Sequence, residues 1–129
     1  MRRYAPVALL ALVVMIVASA MAPLFAREVS AHASLVRANP ANNESLRRAP
    51  TRVVLNFSEP VERTLTEIKV TDKDANRVDE GGTKFDDNDR AFASVGLKAL
   101  EPGLYSVEWS NVSSVDGHAY SGRYPFIGG

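Results

Sequence analysis

Arg52-Val53-Val54-Leu55-Asn56-Phe57-Ser58-Glu59-Pro60 carries the pattern that decides the fold. Val53, Leu55 and Phe57 recur at every second position opposite Arg52, Val54 and Asn56, with Val54 the one apolar exception on the outer side. Successive side chains of an extended backbone point to opposite faces, so this period of two predicts a strand with one face against a core. The strand ends at Ser58-Glu59-Pro60.

The same period recurs on either side. Ile68 and Val70 alternate with Glu67, Lys69 and Thr71, and Tyr105, Val107 and Trp109 alternate with Ser106 and Glu108. Shorter candidates are Ser34 to Arg37, Ala91 to Val95, Asn111 to Val115 and Arg123 to Ile127. Turn-forming residues lie between them: Ala38-Asn39-Pro40-Ala41-Asn42-Asn43, Asp72 to Asn76, Gly81-Gly82, Asp86 to Asp89 and Pro102-Gly103. No stretch sustains a helical stripe. About seven short strands without a helix or repeat predict an all-β fold, a small antiparallel sandwich of immunoglobulin-like or cupredoxin-like type. The order of the strands is not readable from the pattern. Trp109, in phase with Val107, is expected in the core.

Ahead of this domain, Arg2 and Arg3 precede an apolar run from Val7 to Ala18, followed by more small and apolar residues to Ala26. That is the pattern of a secretory signal. Read through to Ala26 the run approaches spanning length, so an uncleaved anchor is the alternative. Either way the domain is exported. Four cuts satisfy the small-residue rule: after Ala20, Ala22, Ala31 or Ala33. Composition does not choose among them. A cut after Ala31 makes 1–31 the leader and 32–129 a single domain whose first residue is His32.

Of 129 residues, 46% are hydrophobic and 23% charged, as expected of a globular chain. From His32 onward there are 12 Lys and Arg against 14 Asp and Glu, with no basic run, so a nucleic-acid or anionic-lipid partner gets no support. The chain has no cysteine, and its methionines, Met1, Met15 and Met21, all lie in the leader. Thiol catalysis and sulfur-ligated metal sites are thereby excluded from the domain.

Only two histidines are present, His32 and His118. If His32 is the first residue, its free α-amine and its imidazole Nδ1 can close a six-membered chelate ring on one metal ion. An internal histidine cannot, because its amide nitrogen is neither basic nor free. The α-amine has a pKa of about 7.7 to 8.0, so near neutral pH a metal displaces only a weakly held proton. Adding His118 gives a T-shaped set of three nitrogens, a histidine brace, which suits the tetragonal preference of Cu(II); Zn(II) favours a tetrahedron and Cu(I) favours sulfur.

Asp116 stands two residues before His118, and in extended backbone both side chains would face one ion. The alternative is that Asp116-Gly117 is simply a hairpin turn. Glu59, at the end of its strand, is either an exposed carboxylate or a group beside the metal. Asp72, Asp74 and Asn76 begin like a calcium loop, but Arg77 stands where such a loop needs glycine and Thr83 where it needs glutamate, so a solvated loop is the better reading.

These segments together carry a resemblance. His32-Ala33-Ser34-Leu35, Asn39-Pro40-Ala41, Val54-Leu55-Asn56-Phe57-Ser58-Glu59-Pro60-Val61, Gly103-Leu104-Tyr105-Ser106-Val107-Glu108-Trp109, Ser113-Ser114-Val115-Asp116-Gly117-His118 and Ser121-Gly122 resemble, in order across the domain, the CopC family of copper-resistance proteins. The resemblance implies a seven-stranded Greek-key barrel or sandwich, a periplasmic or extracellular location, and one Cu(II) ion held by His32, Asp116 and His118 with Glu59 nearby. It also selects the cut after Ala31. Some members carry a methionine-rich Cu(I) loop; the stretch from Asp72 to Asp89 is acidic instead and contains no methionine, so a Cu(I) site is not expected. The implied function is copper homeostasis or resistance: binding Cu(II), or delivering it to a CopD-type membrane copper transporter. With no spanning segment after the domain, that transporter is expected to be a separate chain, and the domain itself a monomer and not an enzyme. The competing functions are a brace-type copper-dependent oxidative enzyme and a metal-free structural sandwich module.

Overall fold

Val53, Leu55 and Phe57 are buried as their alternation predicts, on a strand that occupies an interior place in its sheet. The structure, a computed structural model, describes residues 33–129; the leader and His32 lie outside the described residues. Seven strands follow in chain order: β1 Leu35–Asn39, β2 Arg52–Phe57, β3 Glu67–Asp72, β4 Lys84–Phe85, β5 Phe92–Gly96, β6 Gly103–Val112 and β7 Ala119–Gly128. A single 3-10 turn, Arg63–Leu65, lies between β2 and β3. One sheet has the order β1-β2-β5-β4 and the other β3-β6-β7, with every pairing antiparallel. The result is the all-β sandwich that the sequence predicts.

The inner faces meet through Val53, Leu55 and Phe57 of β2, Ile68 and Val70 of β3, Val107 of β6 and Phe126 of β7. Each large aliphatic side chain buried this way contributes roughly 1.5–3 kcal/mol. Trp109 is half-buried, its ring 5.3 Å from that of Phe57. It lies across Gly122, its cross-strand partner, where a Cβ would fall 2.7 Å from the indole. Gly122 therefore makes room for the ring that closes this edge of the core.

Two strand assignments change. Asn111 to Val115 is no separate strand: β6 continues through Val112, because the inward alternation of Tyr105, Val107 and Trp109 runs on to Asn111, whose polarity disguises it. β4, at two residues, is too short to show a period.

The stretch from Asp72 to Asp89 is more ordered than a solvated loop. Asp72 ties its own turn, accepting from the N–H groups of Asp74 and Asn76, each at 2.9 Å. Asp79 is buried, accepts from Val70 N–H at 2.8 Å and Gly81 N–H at 2.8 Å, and pairs with Arg77 Nε at 2.9 Å. Burial opposes its ionised form, but the hydrogen bonds and the Arg77 charge outweigh burial and hold its carboxyl below the usual carboxylate range. A depressed folded-state pKa gives stability that is present above the unfolded value of about 3.9 and is lost as pH falls toward the folded value. Asp79→Asn should therefore lower unfolding free energy at neutral pH by about 1–3 kcal/mol and flatten its decline below about pH 4, as measured by urea titrations across pH.

Candidate metal centre at one end of the sandwich

Past Phe57 the chain leaves the first sheet and crosses to the second, and this crossing sets Glu59. Ser58 N–H donates to Ser34 O at 2.8 Å, and Val61 N–H to Arg90 O at 3.1 Å. Val61 bridges to Ser113, Glu62 N–H donates to Val112 O at 2.8 Å, and Pro60 O accepts from Ser114 at both N–H, 3.0 Å, and Oγ, 2.9 Å. The residues on both sides of Glu59 are thus tied by backbone hydrogen bonds to the flanking segments, which gives Glu59 a fixed base. Its Oε2 accepts from Ser113 Oγ at 3.0 Å.

The link between β6 and β7 presents Asp116 and His118. Ser113 N–H donates to His118 O at 2.9 Å and Gly117 N–H to Ser113 O at 3.0 Å, which closes the loop. Gly117 sits at φ +73°, a backbone angle glycine adopts without strain. Asp116 Oδ1 accepts from His118 N–H at 2.9 Å, and its Oδ2 lies 3.3 Å from His118 Nδ1. The two side chains are thus neighbours, as their spacing suggests, but through a turn closed by the aspartate rather than through extended backbone. The turn and a possible ligand role share one residue. The imidazole is 70% exposed, the Asp116 side chain 22%. The His118 N–H, above all, holds the Asp116 carboxyl below its usual range against the partial burial, with the imidazole and Ser113 adding to it.

Ala33, the first described residue, arrives at this same end. It is fully buried, and its carbonyl accepts from Asn111 Nδ2 at 2.9 Å. Ser34 N–H then donates to Ser58 Oγ at 3.1 Å. Glu59, Asp116 and His118 are brought together with the chain segment that follows His32; His32 itself lies outside the described residues. Among the described residues no group of three His, Cys, Asp or Glu side chains is close enough to hold a metal.

Three residues of this end were not singled out from the sequence. Ser113, fully buried, is the hub: it donates to Glu59, while its Oγ accepts from Val115 N–H at 3.1 Å and, more weakly, Asp116 N–H at 3.4 Å. Tyr120 stands opposite Asn111 in the β6–β7 ladder. Its phenol is pushed up chiefly by burial, and further by the negative charges of Asp116 and Glu59. Tyr120 follows His118 by two, and Asn111 continues the inward phase of β6, so a polar residue in an inward position was the available signal.

The sequence model described as CopC domain matches residues 35–128. The chain belongs to the CopC family. This CopC-family chain is 39% identical over 97 residues to the copper transport protein CutJ of Bacillus subtilis (strain 168), covering 74% of its own length and 18% of CutJ. The match to CutJ thus spans less than a fifth of that relative. It is 38% identical over 99 residues to protein YobA of Escherichia coli (strain K12), covering 76% of this chain and 79% of YobA. Among solved structures, CopC from Methylosinus trichosporium OB3b superposes with a TM-score of 0.70 at 29% identity, over 74% of this chain and 92% of that one. PcoC, a methionine-rich copper resistance protein from Escherichia coli, gives 0.64 at 28% identity, over 77% and 100%.

The hub role of Ser113 is open to a direct measurement. Ser113→Ala should speed amide exchange at Val115 and Asp116 by tenfold or more while β3 keeps its protection, and should cost about 1–2 kcal/mol in urea unfolding.

Proposed function

We propose that the chain, exported and cut after Ala31, binds one Cu(II) ion through the α-amine and imidazole of His32 and the imidazole of His118, with the Asp116 and Glu59 carboxylates beside it. The observation that carries this reading is the convergence of Ala33, Glu59, Asp116 and His118 at one end of the sandwich. A residue directly preceding Ala33 cannot be far from that end, because consecutive Cα atoms are about 3.8 Å apart.

The donor chemistry fits the metal. From His32 onward the chain offers nitrogen and carboxylate oxygen but no sulfur, a set that suits Cu(II) and not Cu(I). Relatives named for copper transport and copper resistance support copper, without regard to its oxidation state. Bound copper would be held outside the cytoplasm, in the periplasm or beyond it, as a store or as cargo for a membrane transporter of the CopD type. Two carboxylates flanking the ion favour retention over oxygen chemistry, which needs an open coordination position. The domain acts as a monomeric carrier and not as an enzyme.

The experiment is Cu(II) titration with electron paramagnetic resonance on protein recovered from its exported compartment, its N-terminal mass determined on the same sample. One equivalent of Cu(II) with nitrogen-rich hyperfine structure is expected. One glycine added before His32 should weaken binding by two orders of magnitude or more, and His118→Ala should weaken it likewise. Unchanged affinity and spectrum in the extended protein would remove the brace.

Acid should also release the metal, since protons compete with it for the amine, imidazole and carboxylate ligands. Competition titrations from pH 8 to pH 5 should show affinity falling continuously; retention unchanged to pH 5 would count against these ligands.

A further inference from the structure

We propose that Asn111 is the positioning residue of the N-terminal copper ligand: its Nδ2 grips the Ala33 carbonyl and its Oδ1 accepts an N–H of the α-amine freed at His32. This rests on the reading of His32 as a ligand and goes beyond it, to how a chain end is held still enough to bind.

Asn111 is 1% exposed and faces inward on β6, in phase with Tyr105 and Val107. An amide buried there costs free energy unless both of its ends are hydrogen-bonded. One end is: Nδ2 donates to Ala33 O at 2.9 Å, across 78 residues of sequence. The other end, Oδ1, is equally buried and meets no donor among the described residues. The amide cannot be turned to exchange the two, since that would set one carbonyl oxygen against another. Oδ1 therefore sits beside the start of the domain as an acceptor open to a donor.

The residue before Ala33 can supply it. In an uncut chain the nitrogen of residue 32 is an amide with a single N–H. Cut after Ala31 it is an amine, and an amine whose lone pair is on a metal still carries two N–H groups. One of these on Oδ1 would aim the lone pair. Ser34, held by Ser58 Oγ at 3.1 Å and donated to by Ser58 N–H at 2.8 Å, fixes the chain on the other side of Ala33. Such a grip would restrain the chain end before copper arrives and so reduce the ordering cost of chelation.

The test uses mature protein with a verified N-terminus. Asn111→Leu preserves the volume and removes both bonds; Asn111→Val, a better strand former, carries the same readouts should the leucine variant fail to fold. Val107→Ala serves as a control that lowers stability elsewhere in the core. Asn111→Leu is expected to weaken Cu(II) at least tenfold and to shift its paramagnetic resonance spectrum, while Val107→Ala lowers the melting temperature and leaves the spectrum unchanged. Wild-type affinity and spectrum in Asn111→Leu, or the same changes in Val107→Ala, would overturn the proposal. A second readout needs no copper: the ¹H–¹⁵N heteronuclear NOE of Ala33 should fall in the metal-free Asn111 variant. If adding a residue before His32 leaves copper binding intact, the brace fails, and the metal-free NOE alone then decides the grip: a drop supports it and an unchanged value removes it.

Discussion

Ser58 to Glu62 passes from one sheet to the other, and the hydrogen bonds that hold this crossing position the end of the sandwich that carries the candidate site. A crossing strand end in the interior has backbone donors and acceptors that no single sheet can satisfy. Here Ser34, just ahead of β1, takes Ser58, Arg90 takes Val61, and the end of β6 with its turn takes Pro60 and Glu62. Pro60 contributes no donor and its carbonyl takes two, both from Ser114. The same contacts that close the sandwich therefore bring Glu59 against Ser113 and, through Ser113, against the loop of Asp116 and His118.

Polar residues at this end are held from below by buried ones. Ser113 and Asn111 are almost completely enclosed, and each links segments far apart in sequence: Ser113 reaches Glu59 and Asn111 reaches Ala33. A buried polar group with a poor partner is costly, so such links specify one arrangement and penalise others. The exposed imidazole of His118 is thus presented by a rigid base.

The strands with a clear period of two, β2, β3 and the first part of β6, were legible because one face of each meets a hydrophobic core. β4 was not, because two residues hold no period, and the end of β6 was misassigned because Asn111 is polar on an inward position. At the site, Asp116 and His118 were legible from their spacing, although the turn that joins them was the competing reading. Glu59 was legible only as the end of a strand. Ser113 carried no signal of its own, since a serine near a turn is ordinarily a turn residue, and Asn111 carried only that of a polar residue in an inward position.

By itself the sequence determined the sandwich class and the absence of sulfur ligands from the domain, and it named the candidate ligands. These follow from local periodicity and from residue chemistry, both of which are properties of short stretches. Only the tertiary structure decided that Ala33, Glu59 and the Asp116 to His118 loop share one end, and that Ser113 and Asn111 hold them there. Those relations span 54 and 78 residues. They depend on which strands pair and where the chain changes sheet, and no alternation of side chains encodes that.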